Sequence, residues 1–322
     1  MTIKNWPASV RARLLNISRA TGRPFAELLQ YYAMERFLYR LGESDHRSRF
    51  ILKGALMFRA WGAPLSRSTK DIDLLGYTNN AVENLVTIVQ EVCAQEVSPD
   101  GMVFDPEQVK AQRIKEGAEY EGVRVCFLGK LGKARIHMQV DIGFADVVTP
   151  SPITVTYPTI FSMPAPQLRG YPRETVVAEK VHAMVVLGTL NSRMKDFFDL
   201  WLLAQHFNFE GRTLQDAIMQ TFSRRNTIVQ KDLPVALSEQ FAHDKQSQWQ
   251  IFYQNTLNQQ VSKDFVQIIN DCRAFLFPIL RACAMNQRFD KIWQAGGDGW
   301  THMPESADGK DPSGFKPLAS QD

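Results

Sequence analysis

Strand-type patterning is confined to the middle of this chain, and helix-type patterning fills both sides of it. The clearest strand is "ARIHMQVDIGF", where Ile136, Met138, Val140 and Ile142 alternate with His137, Gln139 and Asp141. A period of two predicts one buried and one polar face. "EGVRVCFLGKLGK" precedes it across a Gly-Lys turn, "TKDIDLLGY" reads as a shorter strand, and "PSPITVTYPTIF" as an extended, proline-punctuated run. Residues 8–41 read as two helices with a break at 22–24, the second of them stopped by Gly42. "FILKGALMFRAWG" starts apolar, passes Gly54 and continues as a short helix to Gly62, and residues 80–97 look helical. From "RETVVAEKVHAMVVLG" onward the period is helical, at about 174–188, about 193–206 and on to about 292. The expectation is an α+β chain. Residues 1–165 form N-terminal helices and an αβ unit, 166–295 an all-helical unit, and 296–322 a Gly- and Pro-rich tail expected to be disordered. The boundary falls in the proline-rich stretch 160–172.

A chain of 322 residues can bury a substantial core, and 44% hydrophobic with 22% charged residues is ordinary for a globular protein. A net charge of +3 does not announce a nucleic-acid binder, but residues 1–50 carry nine Lys or Arg against four acids. That local excess could meet phosphates or merely solvate a helical face. Cys93, Cys126, Cys272 and Cys283 form no CxxC pair and have no His at zinc-like spacing, so reduced, mostly buried thiols are expected. The N-terminus lacks an apolar signal core, and no stretch approaches the ~18 apolar residues of a membrane helix. The expectation is a soluble, cytoplasmic protein with no membrane partner.

The short strand carries the chemistry. In "RSTKDIDLLG", Asp71 and Asp73 project from one face and Ile72 and Leu74 from the other. Two carboxylates that close repel each other unless a cation sits between them, and Mg²⁺ prefers one or two carboxylates plus substrate phosphates. Solvated acids on an exposed face are the alternative. Asp141, on the polar face of its strand, could be a third carboxylate for a two-metal phosphoryl- or nucleotidyl-transfer site, or could cap the turn at Gly143.

In the helical half, Lys180 sits among Val176, Val177, Val181 and Met184 and needs either a path to water or an anion. A triphosphate would serve, as would Asp196 or Asp199. Those two acids lie three apart in the first turns of their helix, where they could also simply offset its dipole.

Taken together, these residues resemble the AbiEii/AbiGii-type nucleotidyltransferase toxins, including MenT-like toxins, of the DNA polymerase β-like nucleotidyltransferase superfamily. The resemblance lies in "ELLQYYAMERFLYRLGES", "RFILKGALMFRAWGAPLSRSTKDIDLLG", "VDIGFADVV", "RETVVAEKVHAM" and "RMKDFFDLWLL", in the family's order across about residues 25–205; "FSRRNT" and "SQWQIF" further on are also similar. It implies a polymerase β-like mixed sheet with flanking helices, followed by a helical domain that contributes to the active site. It implies Asp71, Asp73 and Asp141 as metal ligands and catalytic acids, with Lys180 and Asp196 also catalytic. Gly54, Arg67, Thr69, Lys180 and Asp199 would bind nucleotide. Where the family usually has Gly-Ser or Gly-Gly, this chain has Gly54-Ala55, which offers no hydroxyl at 55.

The function so implied is that of a toxin of a toxin–antitoxin system, often concerned with phage defence. It would use Mg²⁺, or Mn²⁺ in its place, to transfer NMP from an NTP to the tRNA acceptor end and so block aminoacylation. Its antitoxin would be an AbiEi-like protein with a winged-helix domain. Arg36 and Arg40 in the basic N-terminal helices, with Arg224 and Arg225, could meet RNA backbone. The same donor site would also serve a protein side-chain hydroxyl as acceptor, or an NTP-binding module without chemistry.

Overall fold

The computed structural model describes residues 5–63, 68–116, 120–256 and 261–302. α1 (Trp6–Thr21) starts where the Asn5 side chain accepts the Ala8 amide at 3.1 Å, with Pro7 in its first turn. An acceptor there replaces the partner that a first-turn amide lacks, and proline has no amide to leave unmatched. α2 (Phe25–Glu43) is buried along most of its length. β1 (Phe50–Lys53), the short α3 (Ala55–Ala60), β2 (Asp71–Gly76) and α4 (Val82–Ala94) follow. Next come a long hairpin of β3 (Met102–Glu116) and β4 (Tyr120–Leu131), then β5 (Ala134–Gly143), β6 (Ile153–Thr156) and β7 (Gln167–Gly170).

These seven strands form one sheet in the order β3-β4-β5-β2-β1-β7-β6. β2 runs parallel to β5 and β1 to β7, while the other pairs are antiparallel, so the sheet is mixed. Patterning alone does not reveal β3 or β7. β3 shifts register between Asp105 and Lys110, which breaks its alternation, and β7 is only four residues long inside the proline-rich stretch. Because β7 pairs with β1, the sheet reaches past residue 165. Gly42 also differs from expectation. α2 continues through it, and a Cβ there would stand 2.9 Å from the Gln167 carbonyl oxygen. It allows α2 to approach β7 rather than ending the helix.

The second unit holds α5 (Arg173–Leu187), α6 (Met194–His206), β8 (Phe209–Glu210), α7 (Gly211–Arg224), α8 (Glu239–Thr256), α9 (Phe265–Ala284), β9 (Lys291–Trp293) and β10 (Trp300–His302). The last three strands make a small antiparallel sheet, so the unit is helical but not wholly so. Order also extends beyond residue 296. Trp300 stacks on Phe275 with ring centroids 5.8 Å apart, and its Nε1–H donates to the Phe275 carbonyl at 2.8 Å. The remainder of the expected tail, 303–322, lies outside the described residues. Among the described residues, no helix is long and apolar enough to cross a membrane.

The sheet separates two apolar cores. Leu52, Ile72, Leu74, Val125, Val140 and Ile142 pack with α1, α2 and α4 on one face. Ile51 and Leu75, from the other face of β1 and β2, join the core of the helical unit. Alternate residues share a face, so Asp71 and Asp73 project with Leu75 toward the helical unit. Among the described residues, none from β3, β4 or β5 joins that second core.

Candidate active site

The register of three strand pairs builds a lateral row of charges. Lys53 lies opposite Asp73, Asp73 opposite Asp141, and Asp141 opposite Arg124. Strands lie about 4.8 Å apart, and residues in register point to the same face, so the four side chains form one line across the sheet. Asp71 sits one step along, opposite Gln139. Burial pushes the Asp71 carboxyl up, and so does the neighbouring Asp141, against the pull of Arg124, Lys195 and Lys70.

Arg124, like Lys53 and Lys195, is a residue that sequence reasoning missed. Its Nε–H and Nη2–H donate to the two oxygens of buried Asp141 at 2.8 and 2.7 Å, and the Gln139 amide adds a bond at 3.3 Å. The available signal was its place in "EGVRVCFLG", a charge between apolar valines, but the register that sets it against Asp141 cannot be read from one strand.

Gly54 follows Lys53 with φ +70° and ψ −155°, a conformation open essentially only to glycine. A Cβ there would lie 2.0 Å from Asp73 Oδ2. The glycine therefore makes room for the Asp73 carboxylate, which explains it without a phosphate. Thr69 shapes the entry to β2: its Oγ1 lies 3.4 Å from both the amide and the carbonyl of Asp71, and its own amide donates to the Tyr31 hydroxyl at 3.2 Å. Arg67 lies outside the described residues.

On the helical side, Lys180 Nζ stands 2.7 Å from Asp196 Oδ1 and 2.8 Å from Asp199 Oδ2, so its counter-ions here are both acids. Arg193 Nε meets the other Asp196 oxygen at 2.7 Å. Burial works to raise the Asp196 carboxyl, but Lys180 and Arg193 outweigh it and hold the group low. Lys195, next in the chain, acts electrostatically on Asp71, which ties the first turn of α6 to the acids of β2.

Beyond Lys53 lies a tight polar recess lined by Asp146, Val147, Glu179, Thr221, Arg224 and Arg225. Asp146 takes Lys53 at 3.3 Å and Arg225 at 2.9 Å, and the Tyr171 hydroxyl donates to Glu179 at 3.1 Å. Burial, then Asp146, pushes Glu179 up to about 7. Burial and Arg225 push His182 down to about 4.

The arginines expected to meet RNA are mostly engaged within the fold, a correction to the outward-facing reading. Arg36, 1% exposed, pairs with Glu35 and donates to the Pro164 carbonyl, and Arg40, 6% exposed, is forked on Asp100. Most positions of α2 between residues 28 and 42 are interior, so the charges there have to be paired. Arg225 holds Asp146, while exposed Arg224 donates to the Ala145 carbonyl at 2.9 Å.

Asp71 and Asp73 suit a hard divalent ion. They share a face, burial and then Asp141 already push Asp71 toward protonation, and Gly54 leaves space against Asp73. Asp141 is turned to Arg124 instead, and among the described residues no group of three or more His, Cys, Asp or Glu is placed to hold a metal.

A mixed sheet that presents paired carboxylates to a lysine-bearing helical wall has the makings of a nucleotidyltransferase. The family model described as "Nucleotidyl transferase AbiEii toxin, Type IV TA system" matches residues 36–277, well over half of the chain. The chain belongs to this family and is a nucleotidyltransferase toxin of the type IV toxin–antitoxin class, with a nucleotide as substrate and an antitoxin as counterpart. Two Helicobacter pylori crystal structures are distantly similar. JHP933 is 14% identical with a TM-score of 0.45, covering 81% of this chain and 92% of its own. A protein provisionally assigned as a nucleotidyltransferase is 15% identical with a TM-score of 0.43, covering 80% and 95%. No curated protein matches in sequence.

Proposed function

We propose that this toxin transfers a nucleoside monophosphate from an NTP to the 3′ end of a tRNA, releasing pyrophosphate and blocking aminoacylation. The observation that carries the reading is the in-register row that sets the acids of β2 beside Asp141, with Lys195 of α6 acting on Asp71 and Lys180 paired to the acids of that same helix. A divalent metal, Mg²⁺ or Mn²⁺, held by Asp71 and Asp73 would supply charge neutralisation on the triphosphate and a more acidic acceptor hydroxyl. Asp141 accepts the hydroxyl proton, since a carboxylate keeps lone pairs beyond those that Arg124 uses. The hydroxyl oxygen bonds to the α-phosphorus while the bond from that phosphorus to the bridging oxygen breaks, and pyrophosphate leaves with the electron pair. Lys180 steadies the triphosphate, positioned by Asp196 and Asp199, with Thr69 and Arg67 at the entrance to β2. The antitoxin would be AbiEi-like with a winged-helix domain, the setting cytoplasmic, and the role one in phage defence.

The test is incubation of the purified protein with Mg²⁺, total tRNA and each α-labelled NTP in turn, beside an Asp71→Ala control. Label on tRNA from one nucleotide, lost in the variant, is the expected result. Label only on a protein in added lysate would move the acceptor to a side-chain hydroxyl. NTP binding with no transfer to anything would overturn the reading in favour of a binding module.

A further inference from the structure

The charged row does not end at Arg124. Gln112 on the edge strand β3 lies opposite Arg124, and Lys110 lies opposite Cys126, itself in register with Gln139 and Asp71. Residues directly opposite share a face, so Lys110, Gln112, Arg124, Cys126 and Gln139 lie on the face that carries the acids. His137 joins them two residues before Gln139. Lys110, Gln112, Cys126 and His137 are exposed, and Arg124 is 36% exposed. Electrostatic influence of Arg124, Asp141 and Asp71 on the Cys126 thiol agrees with one shared surface. Among the described residues, none from β3, β4 or β5 joins the core of the helical unit, and with these exposures a strip about 14 Å long, three strand spacings, leads from Asp71 to the sheet edge.

Its chemistry selects a partner. The core of a protein-binding face is apolar and aromatic. Here Lys110 and Arg124 bring positive charge, Gln112 and Gln139 bring amides, and His137 and the Arg124 guanidinium bring flat surfaces. Leu128 on the same face is buried, and Asp105 at the far end is neutralised by Lys130 at 3.1 Å. The Arg124 fork uses Nε and Nη2, which leaves Nη1 for another acceptor. Cations for phosphates, with planar and hydrogen-bonding groups for unpaired bases, are what single-stranded RNA requires.

We propose that this open face of β3, β4 and β5 is the track along which the acceptor enters, and that the acceptor is the single-stranded 3′ end of an RNA. Phosphates lie at Lys110 and Arg124 and unpaired bases against His137, Gln139 and Gln112. The inference rests on the nucleotidyl-transfer reading and gives it a direction. The acceptor comes from the sheet edge and the NTP from the helical side, where Lys180 and Lys195 stand, as in-line displacement requires.

Cys126 supplies the probe, because it is exposed while Cys93, Cys272 and Cys283 are buried. The rate of Cys126 alkylation by a maleimide is measured on the full chain with tRNA, with a short single-stranded RNA of the same 3′ sequence, and with NTP and Mg²⁺. Both RNAs are expected to slow alkylation about tenfold at ten times Kd, as the free fraction falls, and NTP is not. Lys110→Glu is expected to raise KM for RNA rather than lower kcat, and to reduce the salt slope of binding by about one. Transfer to tRNA with Cys126 unshielded and a wild-type KM for Lys110→Glu would overturn the track while sparing the activity. Shielding by NTP alone would assign the face to the nucleotide and overturn it too. Equal shielding by a blunt duplex would overturn the single-stranded acceptor. Absence of transfer to any RNA, by contrast, is a failure of the underlying activity.

Discussion

Asp141 presents both carboxylate oxygens to Arg124 across adjacent antiparallel strands, at 2.8 and 2.7 Å. The same guanidinium opposes the forces that raise Asp71, which are burial first and the charge of Asp141 second. Arg124→Ala therefore drives Asp71 further toward protonation, and its activity falls more at pH 6 than at pH 8. Arg124→Lys keeps the charge without the fork, so it restores much of the pH profile but not the full rate. A pH series of kcat/KM on the three proteins checks this.

Gly54→Ala places a Cβ 2.0 Å from Asp73 Oδ2 and forces alanine into glycine-only backbone. Stability is expected to drop by about 1–3 kcal/mol. Displacing a metal-ligand candidate by about an ångström is expected to cost about 100-fold in activity. Thermal melts beside transfer assays separate the two effects; wild-type activity would show that Asp73 has no fixed role.

Lys180→Met removes the counter-ion that two buried carboxylates share, which costs about 3–5 kcal/mol even with Arg193 still on Asp196. Asp196 is held low in the folded chain, so its contribution is present above its unfolded value, near 4, and fades as pH falls through the folded one. The stability gap to wild type is thus full at neutral pH and narrows as pH falls below about 4. Denaturant melts at several pH values read it directly.

Glu179 behaves in the opposite sense. Its folded value of about 7 lies above the unfolded one, so its contribution is complete below about 4.5 and is lost as pH rises through 7. Glu179→Gln keeps an acceptor for the Tyr171 hydroxyl and removes the charge. It is expected to match wild type at pH 5 and to melt higher at pH 8. An equal Tm at both would place the burden of charge elsewhere in the recess.

Trp300 packs against Phe275, Phe289 and Trp293. Trp300→Ala should cost about 3 kcal/mol by the scale of large-to-small substitutions. Chains ending at 295 should lose as much, and chains ending at 302 should not.

The paired acids and the lysine of the candidate site stand out in the sequence because strand alternation and helical spacing act within a few residues. Asp71 with Asp73, and Asp196 with Asp199, are local facts of one strand and one helix. What joined them was not legible. Register between β2, β5 and β4 decides that Asp73, Asp141 and Arg124 stand in line, and register depends on turns and packing far along the chain. The burial of Arg36 and Arg40 was hidden for a related reason. A basic helix reads as a surface helix until the acids that neutralise it, Glu35 beside it and Asp100 some sixty residues on, are seen in contact. β3 escaped notice because its bulge disrupts the one period that marks a strand.

Lys53 and Arg124 stand at the two ends of the line that holds Asp73 and Asp141. Two positive and two negative charges sum to zero, so the line is self-neutralised. The polypeptide does not need a metal or nucleotide to balance this line as it folds, so a chelator should silence the toxin and lower its melting temperature only by the share that metal binding contributes, without unfolding it.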